Sequence, residues 1–226
     1  MPTVATHSAE VGGTSEEGMN RKNLTQLPPD LPVPVDDHTA DHLCGMTFPP
    51  IELQTTNGAT FRLDGAGGRQ TVLFFYPKIG HPDRPLPGGD DYWTSLPGAR
   101  GCTPQACVYG ELYGEFAKQG IDVYGIATQD LAEQAEAVGR LHLPYPLISD
   151  PGLLVAKALR MPTFTVDDTP MYKRLTMMLQ GNLIEHVFYP VFPPDQDAHE
   201  VLEWLARGKD GGKWTGNFSS GGFGRP

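Results

Sequence analysis

The chain has no excess of basic charge: 17 Lys and Arg stand against 27 Asp and Glu, a formal net charge of -10 over 226 residues. Nucleic-acid binding needs a basic stripe to displace counterions, so the balance argues against that class of partner. No apolar run approaches the roughly 18–20 residues that span a bilayer. The N-terminus also lacks a basic start followed by an apolar core. The protein is therefore expected to be soluble and cytoplasmic, without a membrane partner. Cysteine is scarce too, with three in the chain. Three thiols and no export signal do not suggest a structural disulfide framework, and reactive or redox chemistry is the better use for them.

Gly and Pro are plentiful, 27 and 22 residues, and they concentrate at the two ends and in one internal stretch. Residues 1–45 read as a polar arm, residues 46–208 as one α/β domain, and residues 209–226 as a Gly-rich tail carrying Trp214, Phe218 and Phe223. Within the domain, Ile51 to Leu63 forms an expected hairpin around Asn57-Gly58, a dipeptide suited to a tight turn. Thr71 to Tyr76 is a continuous apolar run, the pattern of a strand buried on both faces. After Pro77 an irregular stretch, Lys78 to Gly101, holds Tyr92 and Trp93 as its large aromatics. A loop this long inside a domain is usually functional.

Helical spacing then predicts a helix over about Pro104 to Lys118, a strand over Ile121 to Thr128, and a helix on Leu131, Ala135 and Val138 capped by Asp130 with Glu133. A strand over Pro146 to Ser149 comes next, followed by a short helix to Leu159 introduced by Asp150 and Pro151. The pattern closes with a hairpin of Tyr172 to Leu179 and Leu183 to Tyr189, and a helix over Ala198 to Arg207 with Asp197 and Glu200 as a capping box. Such an order makes a mixed sheet with helices on both faces.

Cys102 stands where the long loop meets the predicted helix, in Gly101-Cys102-Thr103-Pro104-Gln105-Ala106-Cys107. A helix N-terminus offers unpaired N–H groups and the positive end of the macrodipole, which favours a thiolate, the nucleophilic form of cysteine. Thr103 suits a cap and Pro104 the first turn. Cys107 lies five residues on. At roughly 1.5 Å rise and 100° per residue the two sulfurs point in different directions, more than about 7 Å apart, so bonding them requires the first turns to unwind. Gly110 and Gly114 weaken the helix by roughly 1 kcal/mol each and tolerate that melting. A buried, inert Cys107 is the bland alternative.

These segments resemble the bacterioferritin-comigratory, or Q-type, branch of the peroxiredoxins, whose hallmark is a peroxidatic Cys followed by Thr and a resolving Cys five residues on. The resemblance runs through Val72 to Lys78, Gly101 to Cys107, Val123 to Thr128, Leu147 to Asp150 and Lys173 to Thr176, and spans about Ile51 to Leu205. It implies a thioredoxin-like fold and a thiol peroxidase without a bound cofactor. Cys102 would attack a peroxide, Cys107 would condense with the resulting sulfenic acid, and a thioredoxin-like or other thiol reductant would reopen the disulfide. Arg174 matches the residue that holds the thiolate and polarises the peroxide, a task suited to a fixed guanidinium fork. Pro77 matches the proline that shields the sulfur. The substrate-binding set is expected to comprise Pro77, Trp93, Thr94 and Gly101. A monomer or homodimer is expected, because the resolving thiol is in the same chain.

Two departures from the family pattern carry expectations of their own. Ala99 occupies the place of a hydroxyl residue, which Thr94 or Ser95 would have to supply, and Gly110 stands near the place of a second Arg. A Trp93-bearing lid over an altered pocket would suit a substrate bulkier than hydrogen peroxide. His38, His42 and Cys44 would share a face only if residues 37–43 were helical, so a metal site there is not expected. A thioredoxin-type disulfide oxidoreductase would carry two cysteines separated by two residues, and the chain has no such pair. A repurposed domain that binds a metabolite or partner is the other alternative.

Overall fold

The computed structural model describes residues 24–63 and 69–208. The first 23 residues of the arm and the Gly-rich tail from Lys209 lie outside the described residues. In chain order the elements are β1 (Leu53–Thr55), β2 (Thr60–Phe61), β3 (Gln70–Phe75), α1 (Asp90–Ser95), α2 (Cys102–Glu111), α3 (Tyr113–Lys118), β4 (Asp122–Ala127) and α4 (Leu131–Leu141). There follow β5 (Leu147–Ser149), α5 (Leu154–Leu159), β6 (Thr163–Val166), β7 (Thr169–Tyr172), β8 (Leu175–Gln180), β9 (Leu183–Phe188) and α6 (Asp197–Ala206). Among the described residues no helix is long and apolar enough to cross a membrane.

Seven strands make one sheet in the order β2-β1-β5-β4-β3-β8-β9, while β6 and β7 pair with each other. The centre is β3, parallel to β4 and antiparallel to β8. Its apolar run is continuous because alternate residues enter two different cores. Val72 and Phe74 pack with Tyr109, Phe116 and Val201 beneath α2, α3 and α6, whereas Leu73 and Phe75 pack with Val155, Leu159 and Tyr172 beneath α5. Burying each such side chain contributes about 1.5–3 kcal/mol. The expected mixed sheet with helices on both faces is therefore present, and the two covered faces explain the sequence of its middle strand. The arm contributes as well, since Ala40 and Leu43 are buried in the second core beside Phe48.

Several local expectations change. The stretch from Lys78 to Gly101 is not wholly irregular: α1 forms within it because Trp93, 1% exposed, anchors a satellite core with Leu86, Ala99, Val166 and Met171. The helix expected over Pro104 to Lys118 is two helices. It breaks at Leu112, between the glycines at 110 and 114. The strand expected from Tyr172 splits into β7 and β8, which belong to different sheets, and Lys173-Arg174 is the joint between them. Asp130 caps α4 as expected, accepting from the Glu133 N–H at 2.7 Å. Asp150 also caps, but from further back. Its two carboxylate oxygens accept from the N–H groups of Leu154 and Val155, with Pro151-Gly152 as a turn in between, so Pro151 is not the first helical residue.

Candidate active site

Cys102 is the first residue of α2, and Gly101, not Thr103, is its N-cap. Gly101 adopts φ 97°, a left-handed conformation that costs a residue with a side chain. A Cβ there would meet Pro194 Cγ at 2.3 Å, so this backbone approach is open only to glycine. The turn delivers the Cys102 sulfur to the mouth of the helix, 3% exposed. Across from it Arg174 Nη2 donates to Sγ at 3.1 Å. The same nitrogen lies within hydrogen-bonding range of the carbonyls of Gly98, Ala99 and Arg100 at 3.2, 3.4 and 3.0 Å, and Nη1 donates to Gln105 Oε1. Arg174 itself is 3% exposed, so a buried cation is fixed against a buried sulfur and against the loop that leads into it.

The guanidinium has a foundation that the sequence did not announce. Gln105 turns its amide nitrogen to Asp197 Oδ2 at 2.7 Å, and the same oxygen accepts from Tyr109 Oη at 2.9 Å and Thr176 Oγ1 at 2.7 Å. Asp197 is fully buried. Burial pushes its carboxyl up from the usual carboxylate range, against the opposing pull of the three donors and of Arg174. It begins α6 but does not cap it, since Gln196 is the N-cap and no side chain bonds there. The capping box expected of Asp197 and Glu200 is thus absent, because the carboxylate is turned inward.

Lys78, Trp93, Arg100, Gly101, Cys102 and Thr103 line a recess of about 20 Å³, with Leu24 and Leu86 also in its wall. That is room for one or two water-sized molecules. Of the expected substrate-binding residues, Trp93 and Gly101 line it. Pro77 is buried at the end of β3, next to Lys78. Thr94 is half-buried on α1, outside the lining, and Ser95 spends its hydroxyl on the Tyr92 carbonyl at 2.7 Å. Trp93 is a packed pillar rather than a lid. The position where the family pattern has a hydroxyl, Ala99, contributes its carbonyl, which lies 3.5 Å from Cys102 Sγ and also accepts from Arg174. Arg100 is a second guanidinium in the recess, 9% exposed, with Nη1 buried and unpartnered among the described residues.

Cys107 is half-buried on the same helix, and both thiols are free. Burial pushes its pKa up, with Glu111 adding and Arg140 opposing. The segment of residues 37–43 is not helical. His42 bonds the Leu159 carbonyl, His38 pairs with Asp41 and Cys44 donates to the Glu185 carbonyl, so the three do not converge on a metal.

A free thiol at a helix mouth, faced by a guanidinium at one end of a mixed sheet, defines a thioredoxin-fold thiol site. The chain belongs to the Redoxin family, whose model matches residues 43–202. Within it the kinship is with the Q-type peroxiredoxins. The chain is 30% identical over 162 residues to chloroplastic peroxiredoxin Q of Arabidopsis thaliana, covering 71% of this chain and 66% of that protein. It is 29% identical to chloroplastic peroxiredoxin Q of Oryza sativa subsp. japonica, where it spans 65% of the relative's length. Peroxidoxin BcpB of Mycobacterium tuberculosis superposes with a TM-score of 0.56 at 27% identity, over 73% of this chain and 96% of that one.

Proposed function

We propose that the chain is a thiol-dependent peroxidase that reduces hydrogen peroxide or small organic hydroperoxides, with Cys102 as the peroxidatic and Cys107 as the resolving cysteine. The observation that carries this is the 3.1 Å contact between Cys102 Sγ and Arg174 Nη2 inside a recess sized for a small molecule. The Cys102 thiolate attacks the terminal oxygen of ROOH; the O–O bond breaks and ROH leaves after taking a proton. Arg174 holds the sulfur and donates to the oxygens as charge develops on them. Cys102 is then a sulfenic acid. Its condensation with the Cys107 thiol forms the S–S bond and releases water, and a thioredoxin-like dithiol supplies two electrons to restore both thiols.

A peroxide assay coupled to such a reductant tests the proposal. Wild type consumes peroxide and forms a Cys102–Cys107 disulfide visible by mass spectrometry, whereas Cys102→Ser does neither. Undiminished turnover in Cys102→Ser overturns it.

A further inference from the structure

The two groups that make the site belong to different elements: Cys102 opens α2, while Arg174 lies in the joint that leads into β8. One atom bridges them. Asp197 Oδ2 receives Gln105 and Tyr109 from α2 and Thr176 from β8, and Gln105 and Thr176 lie three and two residues from Cys102 and Arg174. The second oxygen, Oδ1, is buried without a hydrogen-bond partner among the described residues, so the side-chain restraint that Asp197 adds to the direct Arg174–Cys102 and Arg174–Gln105 contacts passes through Oδ2.

Gln105 is the hinge of this arrangement. Its amide has two ends, and Asp197 accepts only from the nitrogen, which leaves the carbonyl turned to Arg174. Gln105 also lies between Cys102 and Cys107. Joining those cysteines brings their Cα atoms to about 5.5–6 Å, which a helix does not allow five residues apart, so the turn that contains Gln105 must unwind. Unwinding it withdraws Gln105 from both Asp197 and Arg174. Tyr109 lies beyond Cys107 and Thr176 lies on β8, so both stay in place.

We propose that Asp197 is a positioning residue that holds Cys102 and Arg174 in the peroxide-reactive arrangement, and that its bond to Gln105 is the latch released when Cys102 leaves for Cys107. This rests on the peroxidase reading for its role in turnover. The latch itself is a property of the reduced protein and is measurable without peroxide. Asp197 touches no reacting atom. It acts through Gln105 on Arg174 and through α2 on Cys102, and so sets the balance between the oxidation and closure steps.

The test uses the full chain with Asp197→Ala, Asp197→Asn and, as a control, Val201→Ala, which loosens the same helix from the buried core without touching the carboxylate. In the reduced protein, hydrogen exchange at the amides between Gln105 and Tyr109 is expected to quicken about tenfold in Asp197→Ala. Asp197→Asn keeps one carbonyl acceptor where the carboxylate took three donors, and exchange there should quicken about threefold. With hydrogen peroxide, Cys102 oxidation slows and disulfide closure speeds, so the ratio of the two rates shifts by the same order. Val201→Ala leaves that ratio within about twofold of wild type.

Unchanged exchange in both Asp197 variants overturns the latch, as does an equal fall of both rates or an equal shift of the ratio in Val201→Ala. If Asp197→Ala does not fold, Asp197→Asn decides by the same criteria. Wild-type Cys102 that resists peroxide while the exchange result holds sinks the peroxidase reading and leaves the latch standing.

Discussion

Replacing Gly101 by Ala inserts one methyl group at the point where the loop becomes a helix. Two costs follow from the geometry. The backbone sits at φ 97°, where a side chain strains the chain by about 1–2 kcal/mol. The new Cβ would also lie 2.3 Å from Pro194 Cγ and 2.7 Å from Leu27 Cδ2. Leu27 is the end of a flexible side chain and can yield, but the Pro194 ring cannot turn away, so relief requires a backbone shift worth about 1–3 kcal/mol. Together these come to about 2–5 kcal/mol, or roughly 10 °C in melting temperature for a domain of this size.

Gly120 supplies the control, with φ 72° and no heavy atom within 4 Å of its missing Cβ. Gly120→Ala pays the conformational cost alone, about 1 kcal/mol and about 3 °C. The excess loss in Gly101→Ala measures the contact. Because the strain falls on the N-cap of α2, it also pulls Cys102 away from Arg174, and oxidation of Cys102 by hydrogen peroxide should slow by at least about tenfold. Thermal unfolding followed by circular dichroism and stopped-flow oxidation are the two assays. If the two variants melt within about 2 °C of each other, the steric argument is wrong.

Arg174→Lys keeps the charge but loses the fork that grips Sγ, Gln105 and the 98–100 carbonyls; Cys102 oxidation should fall about 10²-fold, and a wild-type rate by stopped-flow would count against the site geometry. In the reduced fold, half-buried Cys107 with its raised pKa should alkylate at least about tenfold more slowly than exposed Cys44 near neutral pH, read by peptide mapping after iodoacetamide. Partial burial, then Asp197 and Glu203, push Glu200 up to about 6 from 4.5. The folded state therefore binds more protons than the unfolded one in that interval, so stability falls as pH rises through it. Glu200→Gln removes that penalty: after discounting for solvent screening it should gain about 0.5 kcal/mol, or about 1–2 °C, above pH ~7 and nothing near pH ~4. An equal gain at both pH values would show that the carboxylate's titration is not the cause.

The place of Cys102 was legible because its setting is local: a glycine, a cysteine and a proline at a loop-to-helix junction state a helix mouth without reference to the rest of the chain. Arg174 was legible only through family resemblance, since a lone Arg within a strand pattern looks like a surface charge. Asp197 was misread for a physical reason. An acid placed three residues before a Glu carries the signature of a capping box, and only the packing of α6 over α2 turns that carboxylate inward. Gln105 lies on the same helical face as Cys102 at the i+3 position and could have been found from that spacing. The helix α1 rests on burial of Trp93 rather than on propensity, which hides it among prolines and glycines. The β6–β7 hairpin turns at Asp167-Asp168, both at positive φ, a turn without the glycine that usually betrays one.

The outer rim of the sheet bears on how such a protein avoids pairing with its own copies. At the Asn182–Ile184 end of β9 the backbone groups are already engaged by residues 45–48, through Gly45 to the Ile184 carbonyl, Ile184 to the Met46 carbonyl and Phe48 to the Asn182 carbonyl. The opposite rim, β2, is only two residues long. Among the described residues, neither β2 nor the Asn182–Ile184 end of β9 presents a long bare ladder on which a neighbouring molecule could template itself.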